Sequence, residues 1–140
     1  MTKRRVLFLC THNSARSQMA EGFLRALGGD RFEAASAGTE ATRVHPLAIR
    51  AMHEVGIDLD GHSSKTFDRL LDQAWDCVIT VCDNANERCP AFPARSTHLH
   101  WSFEDPSAAS GTEEDKLQDF RRIRDEISER IRDWISQPQP

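Results

Sequence analysis

Short apolar, β-favouring runs alternate along this chain with stretches whose apolar residues recur at helical spacing, and no other feature restricts its fold as much. Residues 6–9 form the first run. The stretch 17–27 then sets Met19, Ala20, Phe23, Leu24 and Leu27 on one helical face before two glycines stop it. Residues 32–36 read as a second strand, and 46–55 as a second helix that ends at Gly56. Further on, 67–74 predicts another helix, 77–81 a buried strand and 97–101 a fourth strand. Thr112 then caps a helix with an acidic first turn (Glu113, Glu114, Asp115), whose one face carries Leu117, Phe120, Ile123, Ile127, Ile131 and Trp134. Strands joined through helices pair in parallel. The expected fold is α/β: a single domain over residues 1–140, with a four-stranded parallel sheet flanked by helices and a frayed tail at 136–140.

A chain of 140 residues with 39% hydrophobic content sustains one core and is short for two. Its net charge of −4 supplies no basic surplus for nucleic acid or an anionic membrane, so an anion must be captured locally. The basic start "MTKRR" precedes an apolar run of only residues 6–10. That is far short of a signal-peptide core or a span of about 20 residues, which predicts a cytoplasmic location. Four cysteines in that compartment do not predict a permanent disulfide framework. Reactive, metal-binding and buried roles all stay open for them.

In an open parallel sheet, ligands sit beyond the carboxyl ends of the strands. Cys10 ends the first strand, Cys82 follows the third, and Asp105 follows the fourth within four residues. Five residues separate Cys10 from Arg16, and a helix follows at once. A loop of that length at a helix N-terminus aims backbone amides at one point, where they favour a tetrahedral anion and, equally, a thiolate. Arg16 adds a planar charged fork for two anion oxygens. Asn13 suits a position of positive φ, and Ser17 is placed to donate to the sulfur. No G-x-x-x-x-G-K-[ST] occurs, so nucleotide binding is not indicated, and no cofactor is expected. Cys77, inside "DCVIT", reads as a buried structural thiol, and His45, His53 and His62 as surface or partly packed residues. Cys82 and Cys89 also admit a zinc site with His98 and His100, which share a strand face.

"CTHNSARSQMAEGF", "SAGTEA", "VITVCDNANERCP" and "HWSFEDP" occur in that order. Together they resemble the thioredoxin-coupled arsenate reductases, a family with the low-molecular-weight protein tyrosine phosphatase fold, a flavodoxin-like three-layer arrangement. The resemblance implies an oxyanion-binding loop of Thr11, His12, Asn13, Ser14, Ala15, Arg16 and Ser17. It implies attack of Cys10 on arsenate, with phosphate or sulfate as mimics, and Asp105 as general acid. A transient Cys10–Cys82 disulfide would then form as arsenite leaves, followed by a Cys82–Cys89 disulfide reduced by thioredoxin. A monomeric, arsenic-detoxifying enzyme is expected.

Three positions depart from that pattern. Relatives carry glycine at the place of His12, so strain is expected there if the position needs positive φ. Ala15 replaces a cysteine of some relatives. Lys65 stands where potassium-binding relatives have an aspartate that completes a site with the equivalents of Asn13, Glu21 and Ser36, so its ammonium is expected to take the cation's electrostatic role. Cys82 and Cys89 are also seven residues apart, roughly 10 Å along a helix, whereas disulfides need Cα atoms within about 7 Å. The intervening segment is therefore expected to loop out on oxidation. Two other functions remain: a phosphomonoesterase, which leaves Cys82 and Cys89 idle, and a thiol sensor or arsenite binder, which leaves the loop and Asp105 unexplained.

Overall fold

The structure is a computed structural model and describes residues 3–70, 72–83 and 97–137. Four strands, β1 (Arg4–Cys10), β2 (Phe32–Gly38), β3 (Cys77–Thr80) and β4 (Thr97–His100), form one sheet in the order β2-β1-β3-β4, every pair parallel. The central strand carries Val6, Leu7, Phe8 and Leu9 fully buried, as a parallel strand covered on both faces must. The chain leaves β1 toward β2 on one side and continues through β3 on the other. The carboxyl ends of β1 and β3 thus flank the crevice where a doubly wound sheet binds its ligand.

Strand alternation divides the core. Val6 and Phe8 pack with residues of all three α-helices: Met19 and Phe23 of α1 (Arg16–Gly28), Leu47 and Met52 of α2 (Pro46–His53), and Ile123 and Ile127 of α3 (Glu113–Ile135). Leu7 and Leu9 point the other way, onto Ala37, Leu70, Trp75 and Val78. The expected helix over 67–74 is corrected here to a short 3-10 helix, Phe67–Leu70. The Leu70 carbonyl, which would carry an α-helix onward through the Ala74 amide, instead accepts from the Gln73 amide at 3.2 Å and the Trp75 indole at 3.1 Å. The indole's place in the second core cluster outweighs local helical periodicity.

The last helix forms as its sequence demands. Thr112 accepts from the Asp115 amide and Asp115 reaches back to the Thr112 amide, a complete capping box. Arg121 and Arg124 of α3 both grip the Glu54 carboxylate just past α2, at 2.7 and 2.9 Å, and Arg124 also donates to the Ala51 carbonyl. The hydrogen bond from Arg121 holds the Glu54 carboxyl down to about 2, against a smaller opposing loss of solvation. This clamp fixes α2, and the chain leading into it, against α3.

Candidate oxyanion-binding site

Residues 11–15 link β1 to α1, and the direction of their carbonyls decides what the loop can bind. The Thr11 carbonyl accepts from the Glu40 amide and the Thr39 hydroxyl, and that of His12 from the Ser64 and Thr42 hydroxyls. Asn13 offers its carbonyl to Gln18 Nε2, Ser14 to the His45 amide at 2.9 Å, and Ala15 to the Met19 amide. Each carbonyl is drawn to a partner beyond the loop. Because a trans peptide sets N–H opposite C=O, the following amides face the other way. That concave side is lined by Cys10, His12, Ser14, Ala15, Arg16, Asp105 and Ser107. Ala15 is the N-cap of α1 and supplies no capping side chain, so the first amides of the helix and its dipole are presented to the same point.

Asn13 is the hinge of the loop. It alone among the described non-glycine residues has positive φ, 50°, and it is fully buried. Its Nδ2 donates to Ser17 Oγ and Ser36 Oγ, both at 2.9 Å, and its Oδ1 accepts from the Lys65 amide and Gln18 Nε2, both at 3.0 Å. All four hydrogen-bonding sites of the amide are thereby satisfied. Ser17 Oγ, which accepts from Asn13 Nδ2, also meets Cys10 Sγ at 2.8 Å. His12 is not at positive φ, so no strain arises there; its ring is exposed and lies 3.7 Å from Glu40. Gly38, at the end of β2, is needed for a different reason. A Cβ there would lie 2.6 Å from the Thr11 carbonyl oxygen and 2.9 Å from the Asn13 nitrogen.

Arg16 is buried, donates to the Phe103 carbonyl at 3.1 Å and approaches Asp105 Oδ2 to 3.7 Å. The other carboxylate oxygen, Oδ1, is occupied by the Ser107 amide and hydroxyl. Residues 87 or more apart in sequence are thus brought to one pocket. Cys82 lies at the same edge: Leu9 pairs with Thr80, so Cys82 is one place beyond the position opposite Cys10. Cys10 and Cys77 are free thiols, whereas Cys82 is disulfide-bonded. Cys89 and the segment expected to loop out lie outside the described residues. Among the described residues no cluster of three or more His, Cys, Asp or Glu is arranged to hold a metal.

Behind the loop, Ser36 donates to Glu21 Oε1 at 2.6 Å, and Glu21 Oε2 meets Arg25 at 3.0 Å and His62 at 3.5 Å. Burial lowers the pKa of His62 and of Lys65, each against the pull of Glu21. Lys65 Nζ donates to the Ser63 carbonyl. Sequence reasoning missed Gln18, His62, Arg25 and the Phe103 carbonyl. Gln18 left a signal as a polar side chain amid the buried first turns of an amphipathic helix, and Arg25 as the i,i+4 partner of Glu21.

A cysteine ending β1, an amide-lined loop and an arginine at the helix N-terminus are the parts of an oxyanion-binding site on a doubly wound sheet. Residues 5–139 match the low molecular weight phosphotyrosine protein phosphatase family, and the chain belongs to that family. It is 48% identical over 132 residues to an arsenate reductase of Halalkalibacterium halodurans, covering 94% of this chain and 95% of the relative. Among solved structures, it superposes on an arsenate reductase in the phosphate binding state with a TM-score of 0.80, at 37% identity and with 95% and 97% of the two chains covered. It also superposes on the Corynebacterium glutamicum thioredoxin-dependent arsenate reductase, with a TM-score of 0.71 at 30% identity, covering 96% of this chain and 61% of the other.

Proposed function

We propose that this chain reduces arsenate to arsenite, with thioredoxin as the electron donor. Arsenate sits on the amides of the loop and the Arg16 guanidinium, and the Cys10 sulfur attacks arsenic. Asp105 protonates the oxygen that departs as water. Cys82 then attacks the Cys10 sulfur. The sulfur–arsenic bond breaks with its electron pair left on arsenic, which leaves as arsenite, and the two cysteines are oxidised to a disulfide. Attack of Cys89 on Cys82 frees Cys10, and the dithiol of thioredoxin reduces the second disulfide. The observation that carries this reading over phosphatase action is the disulfide at Cys82, one residue past the place opposite a free Cys10.

Phosphomonoester hydrolysis is the second reading, favoured by the loop and by the family. The chain has no tyrosine, however, and Asp105-Pro106 is followed by Ser107 and Ala108, which offer no ring to stack on an aryl ester. A potassium ion does not fit the cluster of Asn13, Glu21 and Ser36. Both Asn13 Oδ1 bonds are taken by N–H groups, and Glu21 is neutralised by Arg25. The same reading makes the protein a cytoplasmic monomer; no helix among the described residues is long and apolar enough to cross a membrane.

Arsenate-dependent NADPH oxidation, reconstituted with thioredoxin and its reductase, tests the proposal. Cys82→Ser is expected to lose more than about 10³-fold in turnover while keeping any cleavage of a phosphate ester. Full arsenate turnover in that variant would sink the relay.

A further inference from the structure

Helix N-caps favour Asn, Asp, Ser and Thr, yet the N-cap of α2 is His45. Its Nδ1 accepts from the Leu47 amide at 3.1 Å, and its carbonyl takes the first helical bond, from Ile49, at 3.1 Å. Its amide donates to the Ser14 carbonyl at 2.9 Å, and its ring lies 4.6 Å from that of Phe120 on α3. One residue therefore ties the anion loop to α2 and α3 at once. The bond to Ser14 holds that carbonyl outward, and the shared peptide plane turns the Ala15 amide toward the pocket that Ser14 and Ala15 line.

We propose that His45 is a positioning residue for the oxyanion loop: its imidazole, as the cap of α2, fixes the backbone amide that anchors Ser14 and so aims the Ala15 amide at the bound anion. This rests on the reading of residues 11–17 as an oxyanion loop and extends it to a residue outside the pocket. Nδ1 accepts from Leu47 only while unprotonated; the imidazolium would set N–H against N–H. The anchor is therefore labile to acid. The charged groups facing the ring are Arg43 just before it, Asp105 beside the Pro106 turn, and Glu113 and Lys116 on α3. Burial favours the neutral ring, Arg43 and Lys116 reinforce it, Asp105 and Glu113 oppose it, and the net pKa is lowered from the usual 6.5. The cap therefore acts in full above that pH and is lost as pH falls below it. A cavity of about 270 Å³, lined by His45 together with Arg43, Pro106 and Lys116, gives water access to the ring.

The test is the affinity for inorganic phosphate, measured by calorimetry at pH 8, 6.5 and 5 on wild type, His45→Asn and His45→Ala. At pH 8, His45→Ala is expected to bind about fivefold more weakly, the worth of a lost cap, and His45→Asn to restore most of that loss. Between pH 8 and 5 the wild type is expected to lose about fivefold more affinity than His45→Asn, whose amide cap does not titrate. Parallel losses in those two proteins would overturn the proposal, as would wild-type affinity in His45→Ala at pH 8. Should His45→Ala fail to fold, the comparison of wild type with His45→Asn decides alone. A wild type that binds no phosphate at any pH would overturn the oxyanion-loop reading itself, and this proposal with it.

Discussion

The two ends of one sheet hold two buried cysteines with opposite surroundings. Cys77 begins β3 opposite Val6 and is 1% exposed; Cys10 ends β1 and is 2% exposed. Burial pushes the Cys77 thiol up to about 11, even with Arg4 nearby. Cys10 meets the Ser17 hydroxyl at 2.8 Å, at the head of a helix whose N-cap offers no side chain. Accessible surface does not separate the packed thiol from the one proposed to react. What separates them is the polar company at the carboxyl end of the strand, where a parallel sheet runs out of backbone partners and a loop must supply them.

The largest test of that contrast removes each thiol in turn. Cys10→Ser is expected to abolish arsenate turnover, while Cys77→Ala keeps it within about twofold and costs about 1 kcal/mol in urea unfolding. Equal kinetic damage from both would break the comparison. Next comes Gly38→Ala, whose Cβ would first meet backbone atoms of Thr11, Asn13 and Cys10. Some of them must shift, with an expected loss of about 1–3 kcal/mol and a clear fall in phosphate affinity by calorimetry. Unchanged affinity would mean that the end of β2 does not shape the loop.

Ser17→Ala removes the hydroxyl that meets the Cys10 sulfur and is expected to lower kcat about fivefold, since one hydrogen bond is worth about 1 kcal/mol. The smallest effect is alkaline. A thiol raised in the fold adds stability below its ordinary range, about 8.5, and loses it as pH rises through about 11. The difference in urea midpoint between wild type and Cys77→Ala should therefore narrow from pH 8 to pH 11. A constant difference would show that Cys77 is not so buried.

Much of the frame was legible because its causes are local. The apolar stripe from Leu117 to Trp134 and the Thr112 cap announced α3, and asparagine at position 13 announced the left-handed turn that appears there at φ 50°. The segment 67–74 misled, because Phe67 and Leu70 join Trp75 in the cluster under the sheet rather than forming an α-helix face. The pairing of His62 with Gln18 was opaque for a related reason. Their hydrogen bond joins residues 44 apart, and neither carries a pattern that points to the other.

Local periodicity, caps and residue types by themselves settled that strands and helices alternate here, where α1 begins, and that a cysteine and an arginine bracket its entry. The tertiary structure alone decided which way the loop carbonyls turn, that His62 meets the Glu21 carboxylate, and that Asp105 comes beside Arg16. Propensity acts over a few residues, whereas those bonds form between segments that only the packed sheet and helices bring within 4 Å, and so no short stretch of sequence encodes them.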